Sequence, residues 1–302
     1  MKKIIVCILS FLIILIASLL IFKEDKKDDK DLEKVKLAEV THSIFYAPLY
    51  VAIENGYFED EGINLELILT SGADKVSAAV LSNDVNIGFA GPESAIYVYK
   101  NQEKDYLVTF AGLTKRDGQF IVARNKSDNF EISDLYGKEI LAGRVGGMPL
   151  LNFINGVENQ NGDLSKISVN TSVDFASLTG TFVSGVGDYV NLFEPNATKL
   201  EEQGLGYVVA SIGEYSGEMP YTAFYAKKSY IDNNPNVINS FNKAINKGLL
   251  YVKNNSNKDI AKVISKQFSD LDLDSIEKIV DRYKNADSWL NNTTITEATY
   301  KN

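Results

Sequence analysis

The placement of the prolines constrains this chain most, because five of its six prolines stand where a helix is predicted to begin. Four of them, Pro48, Pro92, Pro149 and Pro195, directly follow a segment with the pattern of a β-strand. Proline is tolerated in the first turn of a helix, since its missing N–H would have no intrahelical partner there. The sequence therefore predicts four strand-to-helix corners. In open α/β sheets such corners surround ligand clefts, where helix N-termini present free N–H groups.

Composition narrows the class of protein. The chain has 302 residues, 45% of them hydrophobic, which is enough for a large core and favours two lobes. Its net charge is -9 and no basic stripe follows residue 30, so we expect no nucleic-acid partner. After the N-terminal segment there is no cysteine and one histidine, His42, which leaves hydrolase triads and zinc sites without the side chains they need. We expect a binding protein that is not an enzyme and has no metal or cofactor.

The N-terminal segment has the pattern of a signal or a membrane anchor. Two lysines precede an apolar run over residues 4–22, which is close to the length that spans a bilayer and lacks a small-residue cleavage pattern. This favours an uncleaved anchor, with a removable signal as the alternative, and places the rest of the chain on the extracytoplasmic face. Residues 23–36 are rich in charge and are interpreted as a tether.

Alternating strand and helix patterns predict an α/β fold with parallel βαβ units and two lobes. Lobe 1 is predicted to comprise residues 37–120 and 226–302, and lobe 2 residues 121–225. The predicted strands cover residues 37–41, 65–69, 85–89, 106–124 with a break at 114–118, 139–142, 167–171, 189–193, 206–212 and 221–226. Apolar stripes at helical spacing after residue 236 predict C-terminal core helices.

Candidate ligand contacts in lobe 1 lie at the first two corners. Ser43, Phe45 and Tyr46 offer a hydroxyl and two aromatic rings beside a helix start, where a ring can stack on a flat ligand. The alternative for both rings is a place in the core. Glu93, at the second corner, is either a ligand contact or a carboxylate that complements the dipole of its own helix.

Candidate contacts in lobe 2 include two carboxylates. Gly147 and Met148 permit close backbone approach and supply a thioether, although a tight turn alone explains the glycine. Asp188 and Glu194 bracket the strand 189–193. If Glu194 faces the cleft, it repels an anion about 4 Å away by roughly 4 kcal/mol at an effective dielectric near 20, and it binds paired N–H donors such as those of an aminopyrimidine. A solvated carboxylate at a helix start is the alternative.

Seven short segments carry a family signature. They are residues 45–58, 61–63, 72–74, 90–93, 146–149, 193–195 and 220–224. These segments resemble the SsuA/THI5-like (NMT1-type) substrate-binding proteins of ABC importers, over roughly residues 36–290. The resemblance implies a type II periplasmic-binding-protein-like fold, in which two hinge-linked α/β lobes close on a small molecule and present it to a permease with its ATPase. It also adds Tyr221 to the candidate contacts.

Members of this family are associated with thiamine pyrimidine precursors, sulfonates, taurine and nitrate. We therefore expect a monomeric, extracytoplasmic solute-binding component of an ABC importer, and Glu194 favours a thiamine-precursor aminopyrimidine or a similar heterocycle as the ligand. Two alternatives stay open, an anion of the sulfonate, taurine or nitrate type and a small-molecule sensor without a transport role.

Overall fold

The computed structural model describes residues 32–300, without the side chains of residues 298 and 300. The predicted anchor or signal at residues 1–22 and the first nine residues of the tether lie outside the described residues. Within residues 32–300, no helix combines the length and the apolar character that a membrane crossing requires.

The first sheet is mixed and has the order β2-β1-β3-β10-β4. Its strands are β1 (Glu33–Glu39), β2 (Ile63–Leu69), β3 (Ile87–Ala90), β4 (Leu107–Gly112) and β10 (Ala223–Lys227). Strand β1 pairs in parallel with β2 and β3, whereas β10 is antiparallel to both of its neighbours. The carboxyl ends of the three parallel strands therefore lie at one edge of the sheet.

The second sheet has the order β7-β6-β8-β5-β9 and is also mixed. Its strands are β5 (Phe120–Ala123), β6 (Glu139–Leu141), β7 (Ser168–Asn170), β8 (Tyr189–Leu192) and β9 (Tyr207–Ser211). Strand β6 is parallel to β7 and β8, while β5 is antiparallel to β8 and β9. The chain passes from the first sheet to the second after β4 and returns after β9, so each sheet gains an antiparallel strand beside its predicted parallel units.

The helices of the described residues follow the predicted corners. Their bounds are α1 (Ala47–Glu54), α2 (Tyr57–Asp60), α3 (Ala73–Leu81), α4 (Glu93–Lys100), α5 (Met148–Asn159), α6 (Leu178–Val183), α7 (Asn196–Glu202), α8 (Ile212–Ser216), α9 (Lys228–Asn233), α10 (Pro235–Asn254), α11 (Asn257–Ile264), α12 (Leu273–Asn285) and α13 (Glu297–Tyr300). Pro48, Pro149 and Pro235 lie in the first turn of a helix, and Pro92 and Pro195 immediately precede one. The proline pattern thus marks helix starts as predicted.

Strand β1 begins at Glu33, earlier than the predicted Leu37. Its ladder with β2 starts at the pair Glu33 and Ile63. Val35 is buried while Lys34 and Lys36 are exposed, which is the alternation of a strand with one solvated face. Residues 33–36 are therefore part of the first sheet, and assigning them to the tether was wrong.

The C-terminal helices bury the stripes that their sequences predict. Helix α10 buries Phe241 and Ile245, and α12 buries Ile279 and Tyr283. Helix α10 packs against α1, and α11 packs against α12. Helix α12 reaches the corner after β8, where the Tyr283 hydroxyl accepts a hydrogen bond from the backbone N–H of Glu194.

Candidate functional site

A cavity of about 80 Å³ lies between the corners of the two sheets. About 10–15 Å³ of such volume holds one water molecule, so this cavity has room for several. The side chains that decide its character are Tyr46, Glu93, Met148, Phe175, Phe193 and Tyr221. We call it the aromatic cavity. Both sheets contribute to it through segments that follow the carboxyl ends of parallel strands, which is where α/β folds bind ligands.

Glu93 is the carboxyl group of the aromatic cavity. Its side chain folds back over Gly91, where a Cβ atom would stand 2.0 Å from Oε2, so a larger residue at this position would displace the Glu93 carboxyl group. Oε2 is buried and has no hydrogen-bond partner among residues 32–300. Burial raises the pKa of Glu93 to about 7, although the backbone N–H groups of Glu93 and Met148 and the Arg144 guanidinium act in the opposite direction. A carboxyl group with this pKa can donate or accept a hydrogen bond near neutral pH.

Two tyrosines line the cavity with little exposed surface, 2% for Tyr46 and 4% for Tyr221. Burial raises the phenolic pKa of both. The Tyr221 hydroxyl and the buried Asp117 carboxyl group interact with each other, and burial also raises the pKa of Asp117. A ligand that enters here meets aromatic surface and a small number of polar atoms, which is the usual make-up of a small-molecule site.

Three features of the aromatic cavity attract negative charge: the starts of α3 and α5 and the side chain of Arg144. The first residues of α3 and α5 line it, and free N–H groups at helix starts attract negative charge. Arg144, which is about half exposed, also lines it and forms an ion pair with Asp74 at 3.1 Å. Asp74 lies in α3 and Arg144 precedes α5, so this pair joins helices that follow different sheets. The Tyr97 hydroxyl of α4 donates to the Gly146 carbonyl at 3.1 Å, so a second helix of the first sheet also contacts the segment before α5.

A second cavity of about 310 Å³ adjoins the first. Its polar lining includes His42, Asn191, Asn196, Lys199 and Asp270, and we call it the polar chamber. Val40, Thr41, Phe175 and Phe193 line both cavities, so they form the wall between them. Lys199 pairs with Asp270 at 2.6 Å.

Glu194 is held within the protein. Its carboxylate accepts hydrogen bonds from the backbone N–H of Thr198 at 2.8 Å and the Thr198 hydroxyl at 2.9 Å. It also forms an ion pair with Arg282, and its side chain has no exposed surface. Although Glu194 is among the residues of the polar chamber, its charge is neutralised by Arg282. The structure therefore does not present the Glu194 carboxylate to the aromatic cavity, contrary to the expected geometry.

Ser43, Phe45 and Asp188 line neither of the two cavities. The Ser43 hydroxyl donates to the Glu194 carbonyl at 2.6 Å and so braces two corners against each other. Phe45 is fully buried, with its ring centroid 5.6 Å from that of Phe193, and supports the cavity wall from behind. The Asp188 carboxylate accepts a hydrogen bond from the backbone N–H of Glu139 at 2.9 Å. It therefore links the residue before β8 to the first residue of β6.

The other predicted contacts are brought together. Tyr46, Glu93, Gly147, Met148 and Tyr221 all line the aromatic cavity. The sequence reasoning did not propose Arg144, Phe175, Phe193, Asn191 or Lys199. Phe193 lies inside the recognised segment 193–195, and Arg144 stands two residues before the segment 146–149. Asn191 is a polar residue within the apolar strand Tyr189–Leu192. Among residues 32–300, no group of three His, Cys, Asp or Glu side chains is arranged to hold a metal ion.

Comparison with known proteins identifies the family. A sequence model of the family described as NMT1/THI5 like matches residues 44–258. The Bacillus subtilis (strain 168) protein named "Putative binding protein YtlA" is 45% identical over 264 residues, which is 87% of this chain and 79% of that protein. The resemblance noted in the sequence is therefore confirmed.

Two solved structures show the same fold. The alkanesulfonate-binding protein SsuA from Xanthomonas axonopodis pv. citri, bound to MOPS, superposes with a TM-score of 0.68 at 14% identity, covering 89% of this chain and 88% of its own. The aliphatic sulphonate binding protein SsuA from Escherichia coli also gives a TM-score of 0.68 at 14% identity, with 88% of each chain covered. The predicted fold is confirmed, and this chain belongs to the NMT1/THI5-like family of proteins with a periplasmic-binding-protein fold.

Proposed function

We propose that this protein is the solute-binding component of an ABC importer and that it captures a small, flat nitrogen heterocycle with N–H donors, such as an aminopyrimidine. Membership of the NMT1/THI5-like family and the likeness to SsuA-type binding proteins support the transport role. The same likeness supports an extracytoplasmic location and a permease with its ATPase as partners. A protein held at the membrane by residues 1–22, or released if they are cleaved, agrees with the sequence of that segment.

Glu93 carries the choice of ligand. An aminopyrimidine places an amino N–H beside a ring nitrogen, so one edge offers a donor and an acceptor. A protonated carboxyl group matches that edge with its carbonyl oxygen and its O–H, and an ionised one matches a protonated ring with two charge-assisted bonds. The pKa of about 7 makes both forms of Glu93 available near neutral pH. Tyr46, Phe193 and Tyr221 provide aromatic surface for the ring faces.

An anion of the sulfonate type is a second candidate, because a specific observation favours it. The first residues of α3 and α5 and the Arg144 side chain all line the aromatic cavity, and each attracts negative charge. An ionised Glu93 carboxylate opposes such a ligand, whereas a protonated one does not. The two candidates therefore respond in opposite directions when Glu93 is replaced by an uncharged residue.

The two sheets support a division into lobes. We propose that residues 37–120 with 226–302 form one lobe and residues 121–225 the other, and that they close around the ligand. Strands β1–β4 and β10 form one sheet and β5–β9 the other, so the sheets fall close to this division. The ion pair between Asp74 and Arg144 and the bond from Tyr97 to Gly146 would then hold the closed state.

A thermal-shift panel on the purified protein tests the ligand class. The panel contains 4-amino-5-hydroxymethyl-2-methylpyrimidine, thiamine, taurine, an alkylsulfonate and nitrate. A compound present at 100 times its Kd stabilises the fold by about 2.7 kcal/mol, which is a readily measured shift. We expect the aminopyrimidine to raise the melting temperature and Glu93→Met, which can make neither hydrogen bond, to remove that rise. Stabilisation by sulfonates that increases in Glu93→Met would reject the heterocycle in favour of an anion.

A further inference from the structure

The aromatic cavity and the polar chamber adjoin each other across a wall of side chains. Val40, Thr41, Phe175 and Phe193 line both spaces and form this wall. The chamber has a volume of about 310 Å³ and is the larger of the two, since the aromatic cavity has about 80 Å³. The wall therefore sets how far a molecule bound in the aromatic cavity can extend toward the chamber.

Two residues of the wall are fixed by the strands that they follow. Val40 comes directly after β1, and its backbone N–H donates to the Phe89 carbonyl at 3.1 Å. Phe193 comes directly after β8 and is 8% exposed. Its ring centroid lies 5.6 Å from that of Phe45 and 6.3 Å from that of Tyr221, so it is part of the aromatic core behind the cavity. Neither residue can change without disturbing a corner of its sheet.

Phe175 is held in a different way. It lies on the short 3-10 turn Phe175–Ser177, between the exposed residues Asp174 and Ala176. Its side chain is partly buried, and its ring meets that of Phe193 in a T-shaped arrangement with the centroids 5.7 Å apart. Such an arrangement is a favourable one for two aromatic rings. The Phe175 ring thus completes the wall from the side of the turn, and its removal opens the wall without altering either corner.

The charged groups of the chamber are already paired. Lys199 is bound to Asp270 at 2.6 Å, and the two ring nitrogens of His42 face Glu39 Oε1 at 2.8 Å and the Gln267 carbonyl at 2.9 Å. A charged ligand would have to displace one of these partners. The chamber therefore offers room beyond the wall, and whether a ligand can use that room depends on the wall itself.

We propose that Phe175 is a specificity-determining residue that limits the size of the ligand. Its ring admits a heterocycle with small substituents to the aromatic cavity and excludes one whose substituent must extend into the polar chamber. A side chain that clashes with the wrong ligand is a general means of discrimination. This inference rests on the proposed function, since it takes the aromatic cavity as the place of the ring. A smaller residue at position 175 should then broaden the range of ligands and leave the affinity for a small one in place.

Two probes measured by isothermal titration calorimetry test the proposal. The small probe is 4-amino-5-hydroxymethyl-2-methylpyrimidine. The large probe is 5-benzyl-2-methylpyrimidin-4-amine, which keeps the same donor and acceptor edge and carries an uncharged phenyl group in place of the hydroxyl group. We expect the unmodified protein to bind the small probe at least 100-fold more tightly. In Phe175→Ala the Kd of the large probe should fall at least tenfold, because its phenyl group takes the space of the removed ring, and the Kd of the small probe should change less than threefold.

Two further variants sharpen the test. Phe175→Leu keeps an apolar side chain of intermediate size and should gain an intermediate affinity for the large probe. The control Phe130→Ala removes another partly buried ring, which lies 5.9 Å from the ring of Tyr189 and lines neither the aromatic cavity nor the polar chamber. It should keep the preference of the unmodified protein for the small probe.

The pattern of affinities separates size selection from structural support. If Phe175 only supported the cavity, Phe175→Ala would weaken both probes together, and that result would overturn the inference. Equal binding of the two probes to the unmodified protein would also overturn it, as would the same gain for the large probe in Phe130→Ala. In each of these cases the small probe still binds the unmodified protein, so the proposed function stands. Failure of the small probe to bind the unmodified protein would instead overturn the proposed function, and the inference with it.

Discussion

Glu93 and Glu194 occupy equivalent corners, one after a strand of each sheet and both next to a proline, yet their surroundings are opposite. Glu194 is enclosed by Thr198 and Arg282. Glu93 has a buried oxygen without a hydrogen-bond partner in the described part of the chain, and burial raises its pKa to about 7. A strand-to-helix corner therefore places a carboxylate near the cleft but does not decide its role. The decision depends on whether a cation from elsewhere in the chain reaches it.

The largest expected effect concerns the cation at the second corner. Arg282→Met removes the partner of the fully buried Glu194 carboxylate, and breaking a buried ion pair from one side costs about 3–5 kcal/mol. We expect a loss of this size in the free energy of unfolding, measured in urea. Lys278→Met is the control on the same helix, because Lys278 is half exposed and 3.5 Å from Glu201, and should cost less than about 1 kcal/mol. Equal losses in the two variants would remove the distinction between the corners.

The next effect concerns the unpaired carboxyl group at the first corner. Because the pKa of Glu93 is raised from 4.5 to about 7, the folded protein binds more protons than the unfolded chain between these values, and its stability falls as the pH rises through them. At 1.36 kcal/mol per pKa unit this amounts to about 3 kcal/mol above pH 7. Glu93→Gln should lack this fall. In the absence of ligand, raising the pH from 5 to 8 should therefore destabilise the unmodified protein more than the variant.

Urea unfolding at the two pH values measures this effect. Glu103→Gln, which changes an exposed carboxyl group, should follow the unmodified protein at both. If the stability of Glu93→Gln also changed between the two pH values as that of the unmodified protein does, Glu93 would be no different from a solvated carboxylate. The contrast with Glu194 would then fail.

A smaller effect tests how the second corner is braced. Ser43→Ala removes the 2.6 Å hydrogen bond to the Glu194 carbonyl and leaves that carbonyl without its partner. We expect a loss of about 1–2 kcal/mol in thermal or chemical unfolding. Ser82→Ala, at an exposed helix end, is the control and should change the stability by less than about 0.5 kcal/mol. A loss no greater than that of the control would mean that Ser43 does not support the corner.

The smallest effect concerns a third carboxylate, Glu39, which pairs with the titratable side chain of His42. Burial by itself lowers the pKa of His42, but hydrogen bonds to Glu39 and to the Gln267 carbonyl outweigh it and raise the pKa above 6.5. The resulting stabilisation is complete below pH 6.5 and is lost as the pH rises through the raised pKa. His42→Gln should therefore cost about 1 kcal/mol or less at pH 6 and nothing measurable at pH 9. A cost independent of pH would exclude a charged histidine.

Local patterns were sufficient for most of the fold. Prolines in first helical turns and the alternation of strand and helix predicted the corners, because these are properties of neighbouring residues. The start of β1 was missed, since Glu33, Lys34 and Lys36 are charged and only the pairing with β2 makes Val35 a core residue.

The site was predictable only in part, because some of its contacts join residues that are far apart in the sequence. Tyr46, Glu93 and Met148 could be found because the corner geometry itself brings them to the cleft, and Tyr221 because its segment belongs to the family signature. The role of Glu194 could not, because Arg282 is 88 residues further along the chain and nothing in the local sequence indicates their contact. Phe175 was also beyond reach, since its place between the two cavities is visible only when the packing of its turn against Phe193 is known.

The most direct test of this account compares how tightly 4-amino-5-hydroxymethyl-2-methylpyrimidine binds to the unmodified protein, Glu93→Met and Glu194→Gln, by calorimetry at pH 7. We predict that Glu93→Met weakens binding at least tenfold, because methionine cannot replace the hydrogen bonds of the carboxyl group, and that Glu194→Gln retains the original Kd. Weakened binding in Glu194→Gln together with an unchanged Kd in Glu93→Met would contradict the assignment of the two corners.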